Sequence, residues 1–174
     1  MDHQRLRIAV LTVSDRAAAG VYRDRGGPSV ETYVETQLTA VVAMTAVVPD
    51  EREQIAALLR RWADRGDVDI ILTTGGTGVA PRDVTPEATL DVIEKDVPGL
   101  AEAMRAASRK VTPYAMLSRG IAGIRGRTLI INLPGNPKAV KENLDAVVMV
   151  LTHAVDLLQD AAAGHDHHFH KAKP

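Results

Sequence analysis

Residues Thr73 to Ala88 read TTGGTGVAPRDVTPEA and directly follow the apolar run Val68-Asp69-Ile70-Ile71-Leu72. A strand that ends in a Thr- and Gly-rich loop, then a charged pair, then a helix start is built for handling phosphate. Gly75, Gly76 and Gly78 have no Cβ, so the backbone there admits positive φ and lets a ligand approach its N–H groups. The hydroxyls of Thr73, Thr74 and Thr77 add neutral donors. Asp83 then sets a carboxylate close to where an anion would sit, an arrangement that suits a divalent cation lying between the two.

The loop is neither of the better-known phosphate motifs. No G-x-x-x-x-G-K-[ST] occurs, and no G-x-G-x-x-G opens a helix after the first strand. Taken alone, GGTG also fits a plain tight turn. A second loop of the same type, Leu133-Pro134-Gly135-Asn136-Pro137, follows the strand-like run Arg127 to Asn132 and opens a long helical pattern at Lys138. Two Gly/Pro loops at the C-terminal ends of two strands, each leading into a helix, are what an open α/β sheet presents at its ligand edge. The helix after such a loop offers unpaired N–H groups and the positive end of its dipole to an anion.

A chain of 174 residues is long enough for one domain with a sizeable core, and two would be cramped. Leu, Ile, Val and Ala carry the apolar content, beside one Phe and one Trp, which favours an aliphatic α/β core over an aromatic-rich nucleic-acid reader. A formal net charge of −1 gives no electrostatic sign of DNA or RNA binding, so no nucleic-acid partner is expected. The absence of cysteine removes disulfides, Zn-thiolate sites and thiol chemistry, and agrees with a cytoplasmic location. The N-terminus lacks a signal-peptide h-region and no apolar run approaches the ~18 residues of a membrane span, so no membrane partner is expected.

Hydrophobic spacing predicts a strand over Ile8–Val13, a long loop from Ser14 to Gly27, and a helix from about Pro28 with Val30, Tyr33, Val34, Leu38 and Val41 on one face. It further predicts a strand over Thr45–Val48, a helix from Glu51 carrying Ile55, Leu58, Leu59 and Trp62, and a strand over Asp69–Thr73. Thr85-Pro86-Glu87 is a helix start, and Pro98-Gly99 a break before a helix carrying Leu100, Met104 and Ala107. Ile121–Ile124 and Thr128–Asn132 form a hairpin, and the last helix runs from about Lys138 to Gln159. The repeated β-loop-α order predicts a parallel or mostly parallel sheet with helices on both sides, in one domain over 1–160. The tail 161–174, with His165, His167, His168 and His170, reads as a disordered end, and imidazole–metal binding is the alternative.

VSDRAAAGVYRDRGGP (Val13 to Pro28), VVPDE (Val47 to Glu51), TTGGTGVAPRDVTPEAT (Thr73 to Thr89), AMLSR (Ala115 to Arg119), AGIRG (Ala122 to Gly126) and LPGNPKAV (Leu133 to Val140) occur in this order. Together they resemble the MogA/MoaB family of molybdenum-cofactor biosynthesis proteins, and the G domain of the plant Cnx and animal gephyrin proteins. The resemblance covers about Leu6 to Leu158. It implies a three-layer α/β/α sandwich with a mostly parallel central sheet, and a molybdopterin adenylyltransferase that uses ATP and Mg²⁺ and yields adenylyl-molybdopterin and pyrophosphate. It also implies a homotrimer, and hand-over of product to a MoeA-like insertion enzyme.

The same resemblance assigns roles to matching positions. Asp50 of VVPDE and Asp83 of PRD correspond to the two acids needed for catalysis, and would hold Mg²⁺ and orient phosphates. By position alone Asp50 also reads as an N-cap of the Glu51 helix, and Asp83 as a loop or cap residue. Molybdopterin or nucleotide binding falls to Ser14, Asp15, Thr74, Gly75, Gly76, Thr77, Gly78, Ser118, Arg119, Pro134, Gly135, Asn136 and Pro137. Ser14 and Asp15 read equally as strand terminators, and Ser118 as a surface-turn hydroxyl. A different class of function, a carrier that holds molybdopterin without catalysis, shares most of these motifs; an intact Asp50 and Asp83 pair favours the enzyme.

Overall fold

Along β1 (Leu6–Val13) successive side chains serve two different cores. Ile8 and Val10 belong to one cluster, Ala9, Leu11 and Val13 to another, as the two-residue period of a strand requires. A strand covered on both faces cannot show polar alternation, which is why IAVLTV is apolar throughout. β3 (Ile70–Thr74) and β6 (Thr128–Leu133) are buried at every position in the same way.

The computed structural model describes residues 5–160; the tail assigned to 161–174 lies outside the described residues. After β1 come α1 (Asp15–Ala18), α2 (Gly26–Gln37), β2 (Ala40–Val48) and α3 (Arg52–Asp64). β3 is followed by α4 (Thr85–Leu90), β4 (Lys95–Asp96), α5 (Pro98–Arg109), a 3₁₀ turn (Pro113–Leu117) and β5 (Ala122–Arg125). β6 and α6 (Pro137–Asp160) complete the order. The strands form one six-stranded sheet, β2-β1-β3-β6-β5-β4, in which β2, β1, β3 and β6 are parallel while β5 runs antiparallel to both its neighbours.

One face of the sheet packs against α2, α5 and α6 through Val30, Val34, Met104, Val140, Leu144 and Leu151. The other packs against α3 and α4 through Ile55, Leu59, Trp62 and Ala88. These are the three layers expected from the β-loop-α order. Between the layers, Asn132 is buried and donates to the hydroxyls of Thr73 (3.0 Å) and Thr89 (2.9 Å), joining β6 to β3 and α4. Each of these buried polar groups has its partner, so the bonds offset the cost of taking the groups out of water and fix the relative position of three elements.

Four details differ from the sequence reading. β2 begins at Ala40, not Thr45, so Val41 lies on an edge strand and not on the helix before it. The predicted loop from Ser14 to Gly27 contains the single turn α1, capped by Ser14 Oγ accepting from Ala17 N at 3.2 Å, and α2 already starts at Gly26. The two-residue β4 and the 3₁₀ turn were not foreseen. Ala107 is only half-buried on α5, where Ala101 and Ser108 are buried instead.

The chain leaves β1 toward β2 on one side and returns to β3 on the other, so the crossovers diverge between β1 and β3. Ligands bind open α/β sheets at such a point, beyond the C-terminal strand ends. Because four strands are parallel, the segments that follow them lie at one edge: Ser14-Asp15, Asp50, Gly75–Gly78 and Pro134–Pro137.

Candidate active site

Gly75 and Gly76 take φ +99° and +64°, the left-handed region that costs an L side chain most. Space forbids a side chain as well, since a Cβ on Gly75 would run into the carbonyl oxygen of Val13 and one on Gly76 into Thr85 Oγ1. The turn is pinned by Thr85, whose hydroxyl donates to Gly75 O (2.9 Å) and whose N–H donates to Gly76 O (3.1 Å). It is joined to the second Gly/Pro loop by Gly75 N donating to Leu133 O (3.2 Å) and Thr74 Oγ1 to Pro134 O (2.8 Å). Asn136 caps α6, its Oδ1 accepting from Lys138 N (2.9 Å) and Ala139 N (3.4 Å).

On the β1/β2 side of this turn the site is acidic. Asp15 and Asp50 exchange bonds: Asp15 N donates to Asp50 Oδ2 (2.8 Å) and Asp50 N to Asp15 Oδ1 (3.0 Å). Arg82 forks onto Asp15 (2.9 and 3.0 Å) and reaches Glu51 (2.8 Å). The guanidinium of Arg82 holds the Asp15 carboxyl below its ordinary range, helped by the Asp50 N–H. Asp50 behaves oppositely. Burial pushes its carboxyl up, the Asp15 N–H opposes this, and the negative charges of Asp15 and Asp83 push it further up. Asp83 closes its own turn, accepting from Ala80 N at 3.0 Å while its N–H donates to Ala80 O at 2.9 Å.

On the other side of the glycine turn lies a cavity of about 570 Å³ between the 3₁₀ turn, α5 and the start of α6. Thr77, Gly78, Ser118, Pro134 and Asn136 line it together with Lys138, Asn143 and the more apolar Val111, Tyr114 and Leu117. Arg119, next to Ser118, turns away from the cavity. Its guanidinium donates to Gly78 O (2.6 Å) and Asp83 O (2.6 Å) and pairs with Glu87. Burial is the largest single influence on the Glu87 carboxyl and raises it, but the Arg119 bond, the backbone N–H of Glu87 and the charges of Arg119 and Arg52 together outweigh burial and leave the group below its ordinary range.

Residues 9–153 match the family model described as "probable molybdopterin binding domain". The chain belongs to this family. It is 46% identical over 156 residues to the molybdopterin adenylyltransferase of Helicobacter pylori (strain J99), covering 89% of both chains. It is 46% identical over 143 residues to the Escherichia coli protein of the same name, covering 82% of this chain and 73% of the relative. At 45% identity it matches the molybdenum cofactor synthesis protein cinnamon of Drosophila melanogaster, but there it spans about a quarter (26%) of the relative's length. Among solved structures, the molybdopterin biosynthesis enzyme MoaB of Thermus thermophilus superposes with TM-score 0.84 at 49% identity, covering 89% of this chain and 97% of that one.

Within this molybdopterin-binding fold, the residues singled out in the sequence fall into two sets on either side of Gly75–Gly78. Ser14, Asp15, Asp50 and Asp83 stand on the acidic side; Thr77, Gly78, Ser118, Pro134 and Asn136 line the cavity. Thr74 and Arg119 have their polar groups engaged with the protein's own carbonyls. Sequence reasoning missed Arg82 as the partner of Asp15 and Glu51, Glu87 as the partner of Arg119, and Lys138 and Tyr114 as cavity wall. Only the PRD charge pair hinted at Arg82. Among the described residues no three His, Asp or Glu side chains are grouped to hold a metal ion by themselves. The donor set still suits Mg²⁺, which commonly takes one or two carboxylates and completes its shell with phosphates and water. Asp50 Oδ1 and Asp83 Oδ1 accept no hydrogen bond from the described residues, and mutual repulsion between the carboxylates is what a cation would relieve.

Proposed function

We propose that this chain is a molybdopterin adenylyltransferase that moves AMP from ATP to the terminal phosphate of molybdopterin. The observation that carries this reading is the turn Gly75–Gly78, which has a carboxylate pair on one side and a cavity with hydroxyls and a lysine on the other. A phosphate oxygen of molybdopterin forms a bond to the α-phosphorus of ATP, the bond from that phosphorus to the bridging oxygen of the β-phosphate breaks, and pyrophosphate leaves. The nucleophile is largely ionised at neutral pH, because the second pKa of a phosphate monoester is about 6. No protein base is therefore required, consistent with a chain without cysteine and a cavity wall without histidine.

What the protein must supply is proximity and charge compensation between two polyanions. Thr77, Ser118 and the backbone N–H groups of Gly76–Gly78 offer neutral donors, the Gly75 N–H being taken by Leu133 O, and Lys138 offers a cation on the cavity wall. The pterin portion occupies the cavity, and the nucleotide phosphates lie over the turn toward Asp50 and Asp83. Those two carboxylates would hold Mg²⁺, which when bound neutralises phosphate charge. Ser14 and Asp15 border the nucleotide side, and Pro134–Pro137 close the floor between the two. No described helix is long and apolar enough to cross a membrane; a cytoplasmic homotrimer that passes its product to a metal-insertion enzyme completes the reading.

Incubation of the protein with molybdopterin, ATP and Mg²⁺ should release pyrophosphate and adenylyl-molybdopterin in equal amounts. Tight binding of molybdopterin with no product formed would instead establish a carrier.

A further inference from the structure

Residues Gly78–Asp83 carry Asp83, yet no strand or helix of the sheet holds them. Val79 to Arg82 are exposed, and the turn's own bonds run between Ala80 and Asp83. Within the described structure, the hydrogen bonds that tie this segment to the rest of the protein come from two guanidinium groups. Arg82, inside the segment, reaches across to Asp15 and Glu51. Arg119, outside it, grips both ends at once, Nε on Gly78 O and Nη2 on Asp83 O, while its main-chain N–H donates to Thr77 O at 2.8 Å. Glu87, on α4, takes the remaining arm of the fork.

We propose that Arg119 is a positioning residue rather than a phosphate ligand: with Glu87 behind it, it fixes Gly78–Asp83 so that Asp83 stands correctly toward the nucleotide side. The proposal rests on the adenylyl-transfer reading. Arg119 suits the task because a planar fork with donors at fixed angles can satisfy two carbonyls and a carboxylate together, which a lysine ammonium cannot do in the same geometry. Its peptide neighbour Ser118 forms part of the cavity wall, so one dipeptide joins the pterin side to the loop of Asp83. An arginine spent on carbonyls adds little ligand affinity. Its loss misplaces a carboxylate, and misplacement by about 1 Å costs on the order of 10²-fold in rate.

Arg119→Ala, Arg119→Lys and Glu87→Gln test this against the wild type, with folding checked by circular dichroism. Expected are a fall in kcat of about 10²-fold for Arg119→Ala, little restoration by lysine, and a fall of about 10-fold for Glu87→Gln. KM for molybdopterin and ATP should change by no more than about threefold, and half-maximal activation should need more Mg²⁺. A molybdopterin KM raised about 10-fold or more at wild-type kcat in Arg119→Ala makes Arg119 a ligand and overturns the proposal, as does Glu87→Gln with wild-type kinetics. Amide hydrogen exchange supplies a readout independent of turnover. The amides of Ala80 and Asp83 should exchange faster in both Arg119→Ala and Glu87→Gln than in wild type, with the sheet unchanged. Unchanged exchange there refutes the brace even if the wild type proves to be a carrier. An inactive wild type with the expected exchange pattern refutes only the transfer reading. If Arg119→Ala does not fold, Glu87→Gln and Arg119→Lys decide the question.

Discussion

The two ends of the sheet invite opposite conclusions from size and from chemistry. The larger cavity, about 820 Å³, lies at the N-terminal end of β1, β3 and β6, lined by residues such as Arg7, Asp64, Asp67, Asp69 and Gln159. The smaller, about 570 Å³, lies beside the glycine turn. At the N-terminal end three of the four acidic side chains that line the cavity are already matched: Asp67 by Arg65 (2.8 Å), Asp64 by Arg125 (2.8 Å) and Asp69 by Gln159 (2.9 Å). Accordingly, the carboxyls of Asp64 and Asp67 are held low by their arginines. At the C-terminal end Asp50 is pushed up, by burial first and by two other carboxylates after it. A set of charges already neutralised has little to offer a ligand, whereas one left unbalanced near neutral donors is a site waiting for charge. Volume does not separate the two ends; electrostatic balance does.

Substitutions at the unbalanced end should therefore abolish chemistry and those at the balanced end should not. Asp83→Asn should retain the fold and molybdopterin binding and lose on the order of 10²-fold or more in adenylyl transfer, measured by pyrophosphate release. Near-native turnover would remove Asp83 from the site. Asp50→Asn should lose activity to a similar degree and yet melt at a higher temperature at neutral pH. The sign follows from the raised carboxyl: an acid whose folded pKa exceeds its unfolded value stabilises the native state while protonated, and that contribution is lost as pH rises through the folded pKa. By the same reasoning the gap in melting temperature between Asp50→Asn and wild type should shrink as pH falls from 7 toward the ordinary carboxylate value of about 4, and a gap that stays constant over that range contradicts it.

Gly75→Ala should cost about 1–3 kcal/mol in denaturant unfolding, because φ +99° and the Val13 carbonyl both resist a Cβ. Ser118→Ala should weaken molybdopterin by about 3–10-fold, the worth of one neutral hydrogen bond, and leave ATP unaffected. A loss confined to ATP would place Ser118 on the other side of the turn. Least of all should follow from Asp67→Asn at the opposite end: unchanged turnover and a slight drop in melting temperature, since exposed ion pairs contribute little. A drop in turnover there would mean that the larger cavity communicates with the chemistry.

Much of this architecture was legible in the chain. β1, β3 and β6 announced themselves as unbroken apolar runs because they are covered on both faces. α3 and α6 showed a clear helical period, and the two Gly/Pro loops marked the ligand edge. The first half of β2 was missed because an edge strand is covered on fewer sides and its apolar residues mimic the tail of a helix face. β4 is two exposed charged residues, recognisable only from the antiparallel partner that pairs them. The partners of the arginines were hidden for a different reason. Arg119 lies 32 residues from Glu87 and 36 from Asp83 in sequence. Nothing in residue type distinguishes a guanidinium that meets a ligand from one that meets its own main chain.

The β5–β6 hairpin has a consequence for how the molecule assembles. Every pairing among β2, β1, β3 and β6 needs a crossover of tens of residues, and the chain must surrender that loop entropy before the contact rewards it. Arg125 and Thr128 are register partners across a two-residue turn, so β5 and β6 can meet almost as soon as they are synthesised. Once formed, that ribbon presents β6 as a ready template on which β3 can dock, and β1 behind it. The short antiparallel element at the margin of this parallel sheet is thus the pairing whose closure costs the least loop entropy.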